Sequence, residues 1–423
     1  MICIVLLLGV VLVFISAYGY KFSKKTAADY LLAGRAIGTF VMFFYVYFAI
    51  SSAWTFYGFP GTIYNTGPGF MLFFSFISFA FLYIMIGPKL WAGGSKYGYL
   101  SPVQFLGERY QSKALRLILG GILVLFLFPY LGLQAVGIGA GMKAAVGWPF
   151  WFGTLYMTVI MLLICLIGGT RSVAWLNVLL GIIFTTTFWG FLIWILISTN
   201  NTSLSDMAKK VQEIRPGLLG VPGPVNAWTT QNLMGLALAG LTVMAWPHIV
   251  IGTMQVKSMV VVRKTAIWML LFSLIFCNIA AIISFILALV RPTELGLLLS
   301  NIASPGFALW LPALIGGVLW RRGTKEGAIV GIFAGLVLLI VGSFFYKPLL
   351  LGFHPIFVPL LVDALLYIGV SLITSPVPKS VQKKFFDDIE DYLEEHTLRG
   401  RSIDNGKVFV APKVAMETVT SDK

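Results

Sequence analysis

Long apolar runs, separated by short basic or small-residue segments, recur along most of the chain. Twenty residues of α-helix cover about 30 Å, the thickness of a bilayer's hydrocarbon core. The runs lie at 2–20, 38–60, 68–90, 115–146, 149–168, 172–198, 230–252, 265–289, 295–319, 327–346 and 354–374. They predict an all-α integral membrane protein of about eleven transmembrane helices. The run at 115–146 is too long for one perpendicular crossing and predicts a tilted or protruding helix. The run at 2–20 has no basic n-region, and Tyr18-Gly19-Tyr20 is a poor cleavage site, so it reads as a retained first span.

Polar and helix-breaking positions inside these runs carry the functional signal. Ser51-Ser52-Ala53-Trp54-Thr55 stands at mid-depth in the second run and leads into Gly58-Phe59-Pro60-Gly61. Secondary transporters build ion and solute sites from such broken helices. The competing reading is a serine pair bonded back to its own helix. Trp246-Pro247-His248 breaks the seventh run, because Pro247 lacks a donor and crowds the preceding turn. His248 reads either as part of a cavity or as an interfacial histidine at the helix end. Trp54, Phe56 and Tyr57 offer stacking faces or ordinary packing, and Gln134, among Gly132, Gly137, Gly139 and Gly141, contacts a solute or bridges helices. Asp363 is the one carboxylate deep in a predicted span, where it serves a proton or cation or hydrogen-bonds a neighbouring helix.

Composition agrees: 58% of residues are hydrophobic and 11% charged, with mean hydropathy +0.91. The net charge of +14 reflects topology rather than nucleic-acid binding. Lys21, Lys24, Lys25 and Arg35 follow the first run, and Lys89, Lys96, Arg109, Lys113 and Arg116 the third. Arg171 follows the fifth, Lys257, Arg263 and Lys264 the seventh, and Arg321, Arg322 and Lys325 the ninth. Every second loop is basic, which predicts an outside N-terminus and a cytoplasmic C-terminus in the plasma (inner) membrane. Residues 1–375 form the transmembrane domain and 376–423 a cytoplasmic tail. In that tail Val381, Phe385, Phe386, Ile389 and Leu393 recur at helical spacing, predicting a short amphipathic helix on the membrane or under the loops. Cys3, Cys165 and Cys277 sit in apolar runs and imply no disulfide framework. His248, His354 and His396 are scattered, and the chain holds no zinc spacing, P-loop or GxSxG motif, so no enzyme constellation is present. A cation crossing here would meet carbonyl and hydroxyl oxygens, which suit an alkali ion.

In order, these residues resemble the sodium/solute symporter family of proline, pantothenate and sugar carriers. The resemblance rests on Asp29-Tyr30-Leu31-Leu32-Ala33-Gly34-Arg35, Ser52-Ala53-Trp54, Gly58-Phe59-Pro60-Gly61 and Tyr64-Asn65-Thr66-Gly67. It continues through Tyr130-Leu131-Gly132-Leu133-Gln134, Gly168-Gly169-Thr170-Arg171-Ser172-Val173-Ala174-Trp175, Trp246-Pro247-His248-Ile249, and Pro312 to Arg322. It implies an inverted-repeat (five-plus-five) fold and sodium-coupled symport of a small organic solute, an amino acid, sugar or carboxylate, with no organic cofactor. It implies a sodium half-site at Phe48, Ser51 and Ser52, and substrate contacts at Trp54, Tyr57, Gln134 and Trp246. Gly58, Pro60, Pro247 and His248 map to gating positions, and Asn177 stands where the family commonly carries a cation-access aspartate. The chain departs from the family beyond residue 288: Ala288-Leu289-Val290-Arg291-Pro292-Thr293-Glu294 leads directly into the equivalent of core helix ten. Core helices eight and nine, the former holding the rest of the sodium ligands, have no counterpart, so the second repeat is truncated. Two functions follow as alternatives: a working symporter, with sodium, solute, lipid and a possible homo-oligomer as partners, or an inserted, transport-incompetent relative.

Overall fold

A computed structural model describes residues 2–21, 26–52, 55, 59–67, 69, 77–198, 204–214, 216–220, 223, 228–271 and 299–403. Trp54, Tyr57 and Gly58, and the junction at 288–294, lie outside the described residues. The described residues form helices and turns and contain no strand. The first half holds α1 (Ile2–Tyr20), α2 (Ala27–Leu32), α3 (Thr39–Ile50), α4 (Phe59–Thr66), α5 (Ile77–Tyr97), α6 (Pro102–Arg109), α7 (Lys113–Val146) and α8 (Phe150–Ser198). The second holds α9 (Leu204–Ile214), α10 (Thr230–Thr242), α11 (Pro247–Gly252), α12 (259–271), α13 (Ser304–Ala308), α14 (Leu311–Leu319), α15 (Lys325–Ile340), α16 (Phe357–Ile373) and α17 (Asp388–Ile403).

Three of these differ from the pattern of apolar runs. The third span is a helix from Ile77 to Tyr97, so it reaches seven residues past the end of its apolar run, with Lys89 and Lys96 inside it. Both lysines are held by polar groups of the C-terminal helix, which lets the helix continue through charged residues. The fifth and sixth runs join in α8, bent where Gly169 takes φ 58° and ψ −166°, a region essentially restricted to glycine. The run at 295–319 is itself broken, with a turn at Leu309 and Trp310 between α13 and α14.

The bend in α8 forms a seat for α2. Arg171 Nη2 donates to Asp29 Oδ1 at 2.5 Å and to the Ala33 carbonyl at 3.1 Å. Thr170 Oγ1 donates to the Leu31 carbonyl at 2.9 Å, and Tyr30 OH reaches the Cys165 carbonyl at 2.9 Å. The Asp29 side chain is 1% exposed, so losing its partner would strand a buried charge. Just beyond the seat, α1 lies along α8, with Ser16 Oγ donating to the Ile164 carbonyl (2.8 Å) and Ser172 Oγ to the Ser16 carbonyl (3.0 Å).

At the basic end of the bundle the C-terminal segment packs under the loops rather than lying free. Phe385 stacks on Tyr99 (centroids 6.1 Å apart, 12° between planes) and meets Phe105 edge-on at 5.1 Å. The Arg109 guanidinium lies 4.9 Å from the Phe386 ring centre, and Arg109 also donates to the carbonyls of Trp320 and Arg321. Lys89 pairs with Glu390 at 2.7 Å, Lys96 donates to the Asp388 carbonyl at 2.6 Å, and Arg321 pairs with Asp387. The hydrogen bond from Arg321 holds the Asp387 carboxyl below its ordinary value. That contact therefore contributes at every pH above about 3.9 and fades only as pH falls through the lower folded value.

Two outcomes follow from this packing. Gly169→Ala forces a side chain into glycine-only backbone, with its Cβ 3.0 Å from the Tyr30 carbonyl oxygen. A loss of about 1–3 kcal/mol is expected, read as a lower melting temperature of the detergent-solubilised protein. Phe385→Ala deletes a buried ring worth about 3–5 kcal/mol, enough to release α17. Limited proteolysis should then cut between residues 375 and 388 well before the membrane helices, while wild-type resists at the same protease dose.

Candidate functional site

The helix α3 stops at Ile50, midway along its apolar run. Its ladder of hydrogen bonds ends with Ser51 N–H to the Tyr47 carbonyl at 3.1 Å, and Ser51 is extended at φ −78°, ψ 113°. Ser52 N–H turns to Thr55 Oγ1 at 3.0 Å, and Thr55 N–H returns to the Ser52 carbonyl at 2.8 Å. This small ring closes the break locally and takes away the donor that would have reached the Phe48 carbonyl. Ser51 and Thr55 are buried. The chain re-enters helix at α4, whose second residue is Pro60, where the missing N–H costs nothing.

The second break has the same logic. α10 ends at Thr242, a 3₁₀ turn covers Val243–Ala245, and Trp246 is extended at φ −68°, ψ 128°. Pro247 then opens α11 at its first position. Thr242 Oγ1 is buried and donates to the Ala239 carbonyl at 2.7 Å. The orphaned Ala245 carbonyl accepts Trp310 Nε1–H at 2.6 Å, so the turn between α13 and α14 caps the break.

One side chain touches both breaks. Tyr130, on α7, donates its hydroxyl to the Ala49 carbonyl of α3 at 3.3 Å. Its ring packs on Trp246 (5.8 Å, 63°), lies nearly parallel to His248 (5.7 Å, 30°) and meets Phe307 of α13 (6.1 Å, 64°). The result is a box of four aromatic rings at the meeting point of α3, α7, α11 and α13. Trp246 Nε1 and His248 Nε2 are buried without a hydrogen-bond partner among the described residues. The indole N–H is poised for an acceptor on a bound molecule, and the imidazole nitrogen for a donor or an acceptor according to its tautomer.

The positions singled out from sequence divide accordingly. Phe48, Ser51 and Ser52 lie at the first break, with the Phe48 ring against Phe184 at 6.3 Å. Trp246, Pro247 and His248 form the second break and line the box. Gln134 sits one helical turn beyond Tyr130 on α7. Asn177 is half-buried in the far limb of α8, eight residues past the bend, and no contact carries it to the box. His248 stacks on Tyr130 with its Nε2 buried, which is the cavity side of its two sequence readings. Tyr130, Phe307 and Trp310 join the site unannounced. The sequence signal for Tyr130 is a tyrosine one turn before Gln134 on a glycine-rich helix; Trp310 carried none beyond its neighbour Pro312. Among the described residues no cluster of His, Cys, Asp or Glu could hold a metal ion.

Comparison with known proteins places the chain and its fold. A profile described as "Sodium:solute symporter family" matches residues 30–296. An uncharacterized symporter, YhjB, of Bacillus subtilis (strain 168) is 24% identical over 297 residues, covering 66% of this chain and 59% of its own length. Sodium/proline symporter 2 of Staphylococcus saprophyticus is 26% identical over 253 residues, covering 59% of this chain and 48% of its own. The chain thus spans about half the length of the curated relatives it matches. A solved structure of a Na+-coupled sialic acid symporter, substrate-bound and outward-open, superposes with TM-score 0.67 at 12% identity, covering 88% of this chain and 96% of the other. At that identity the match speaks for the fold, the inverted-repeat helical arrangement. Members of the matched family are multi-pass membrane transporters, not enzymes, and this chain belongs to the sodium:solute symporter family.

Proposed function

We propose that the chain is a sodium-coupled symporter of a small organic solute, with the solute held between the two helix breaks. The observation that carries this reading is Tyr130, which bonds the first break and packs against the second. Sodium is taken by the carbonyls of Phe48 and Ser51, with Ser52 beside them. The aromatic box takes the solute. Its unsatisfied indole N–H favours a carboxylate or another acceptor group, while the ring faces favour a compact apolar or cyclic body. Proline and sialic acid, named for two similar proteins, both carry a carboxylate. Gly58, Pro60, Pro247 and His248 flank the breaks and act as hinges, and Trp54 and Tyr57 stand on the segment between α3 and α4. In this reading the basic end of the bundle faces the cytoplasm, the N-terminus lies outside, and α17 is a cytoplasmic clasp.

A second reading is favoured by one count. Only residues 272–298 separate α12 from the start of the next described element at Leu299. Two further crossings need about 40 residues. In this reading the family's core helices eight and nine are missing, and two carbonyls of α3 make a poor sodium site alone. On this reading the chain inserts and binds solute but does not couple it to sodium, unless water, Thr242 or a second subunit completes the ion's shell.

Thermal stabilisation of the purified protein separates the two. A ligand that binds only the folded state raises stability by about 2.7 kcal/mol at a hundred times its Kd. The symporter reading expects a sodium-specific rise over potassium and choline, abolished by Ser51→Leu. No rise at several hundred millimolar sodium would leave the uncoupled reading. For the solute, Trp246→Phe keeps the ring and deletes the N–H. A loss of about 1–3 kcal/mol, or roughly 5- to 150-fold in affinity, is expected in equilibrium binding; unchanged affinity would remove Trp246 from the solute contacts.

A further inference from the structure

Asp363 stands in the middle of α16, 1% exposed, and faces the glycines of α15. A side chain added at Gly331 would lie 2.6 Å from the Asp363 carbonyl oxygen, and one at Gly335 would lie 3.2 Å from its Cβ and 3.1 Å from the Pro359 carbonyl. The two helices close on each other over this aspartate. Sequence alone leaves open a proton or cation site and a hydrogen bond to a neighbouring helix. Asp363 Oδ2 is buried without a hydrogen-bond partner among the described residues.

We propose that Asp363 is a proton-binding site, occupied in the resting protein, at the closed interface of α15 and α16. A carboxylate buried without a partner costs many kilocalories, so the group is neutralised by a cation, a metal ion or a proton. Among the described residues the cations around this helix pair stand toward its ends, Arg322 for one donating to the Leu372 and Thr374 carbonyls. On α15, Lys325 lies 3.7 Å from Glu326 and six residues from Gly331, about 9 Å along the axis. Arg109 donates to the carbonyls at the end of α14, and Lys347 belongs to the short turn at the opposite end of the helix pair. The elements α10 and α14, which also touch α16, carry no charged residue. On α16 itself Tyr367, one turn along, spends its hydroxyl on Tyr110 at 2.7 Å. A metal ion needs several oxygens in a shell about 2.3–2.6 Å in radius, and the glycine backbones of α15 fill that space. A proton needs no volume.

The location gives this proton a consequence. The anion left by its departure has no partner unless α15 and α16 part, so proton occupancy and helix closure are linked. Leu309 packs against Gly335 beside Asp363, and its neighbour Trp310 caps the break at Ala245. The proton site is thus one packed residue away from the element that holds the solute box. It is separate from the sodium half-site and stands whether or not that half-site is complete.

Infrared spectroscopy of the full-length protein in detergent at neutral pH tests this. The expected result is a carbonyl stretch of a protonated carboxylic acid, lost in Asp363→Asn, displaced in Asp363→Glu, and absent after denaturation of wild-type. The uncharged Asp363→Asn should also melt within a few degrees of wild-type. A wild-type spectrum with no acid band, or an acid band unchanged in both variants, would overturn the proposal, as would a folded wild-type protein whose band persists after denaturation. Should either variant fail to fold, the wild-type comparison before and after denaturation decides alone.

Discussion

A helix interrupted at membrane depth exposes amide and carbonyl groups where lipid offers no hydrogen bond, and everything else in this structure answers that constraint. Each break is closed by a different device. At the first, Thr55 supplies its hydroxyl to the Ser52 amide, and Tyr130 reaches the Ala49 carbonyl from α7. At the second, Trp310 reaches the Ala245 carbonyl from beyond α13, and Pro247 removes a donor that would otherwise be stranded. Groups left over after these closures are the ones a transported ion or solute can use. The Phe48 carbonyl, the Trp246 indole and the His248 imidazole are in that position.

Devices of this kind work only inside a fixed frame. The glycine bend of α8 seats α2 through the Asp29–Arg171 pair, which anchors the chain just before α3 enters the membrane. The α15–α16 pair stands behind the turn at Leu309 and Trp310 and holds it against α10. At the basic end, the C-terminal segment ties α5 and α6 to the loop after α14 through Phe385, Phe386 and their cationic neighbours. A hinge between such anchored blocks is what alternating access requires, and the breaks are the positions where the backbone is free to act as one.

Sequence reasoning located both breaks because their signals are local: serines at mid-run, and a proline inside an apolar helix. Apolar run length also placed most helices within a few residues. It failed where long-range partners override hydropathy, as in α5, whose Lys89 and Lys96 are retained in helix by α17. Tyr130 and Trp310 escaped notice for the same reason. Tyr130 had a signal only in its place one turn before Gln134, and nothing near Trp310 distinguishes a tryptophan that caps a distant carbonyl from one that packs in lipid. His248 was open between a cavity and an interfacial role, and its stacking on Tyr130 depends on a partner more than a hundred residues away. Asp363 was visible as an intramembrane acid, but whether it had a partner depended on how closely the α15 glycines approach it.

The direct test of a single site joined by Tyr130 is saturable binding of radioactive sodium to the purified protein, compared between wild-type and Tyr130→Phe. The phenylalanine keeps the packing against Trp246 and His248 and removes only the bond to the Ala49 carbonyl. Saturable binding that cold sodium displaces, potassium does not, and Tyr130→Phe weakens would show that the two breaks act together. Binding equal in both proteins would contradict that, and an absence of saturable binding in wild-type would mean the first break holds no ion.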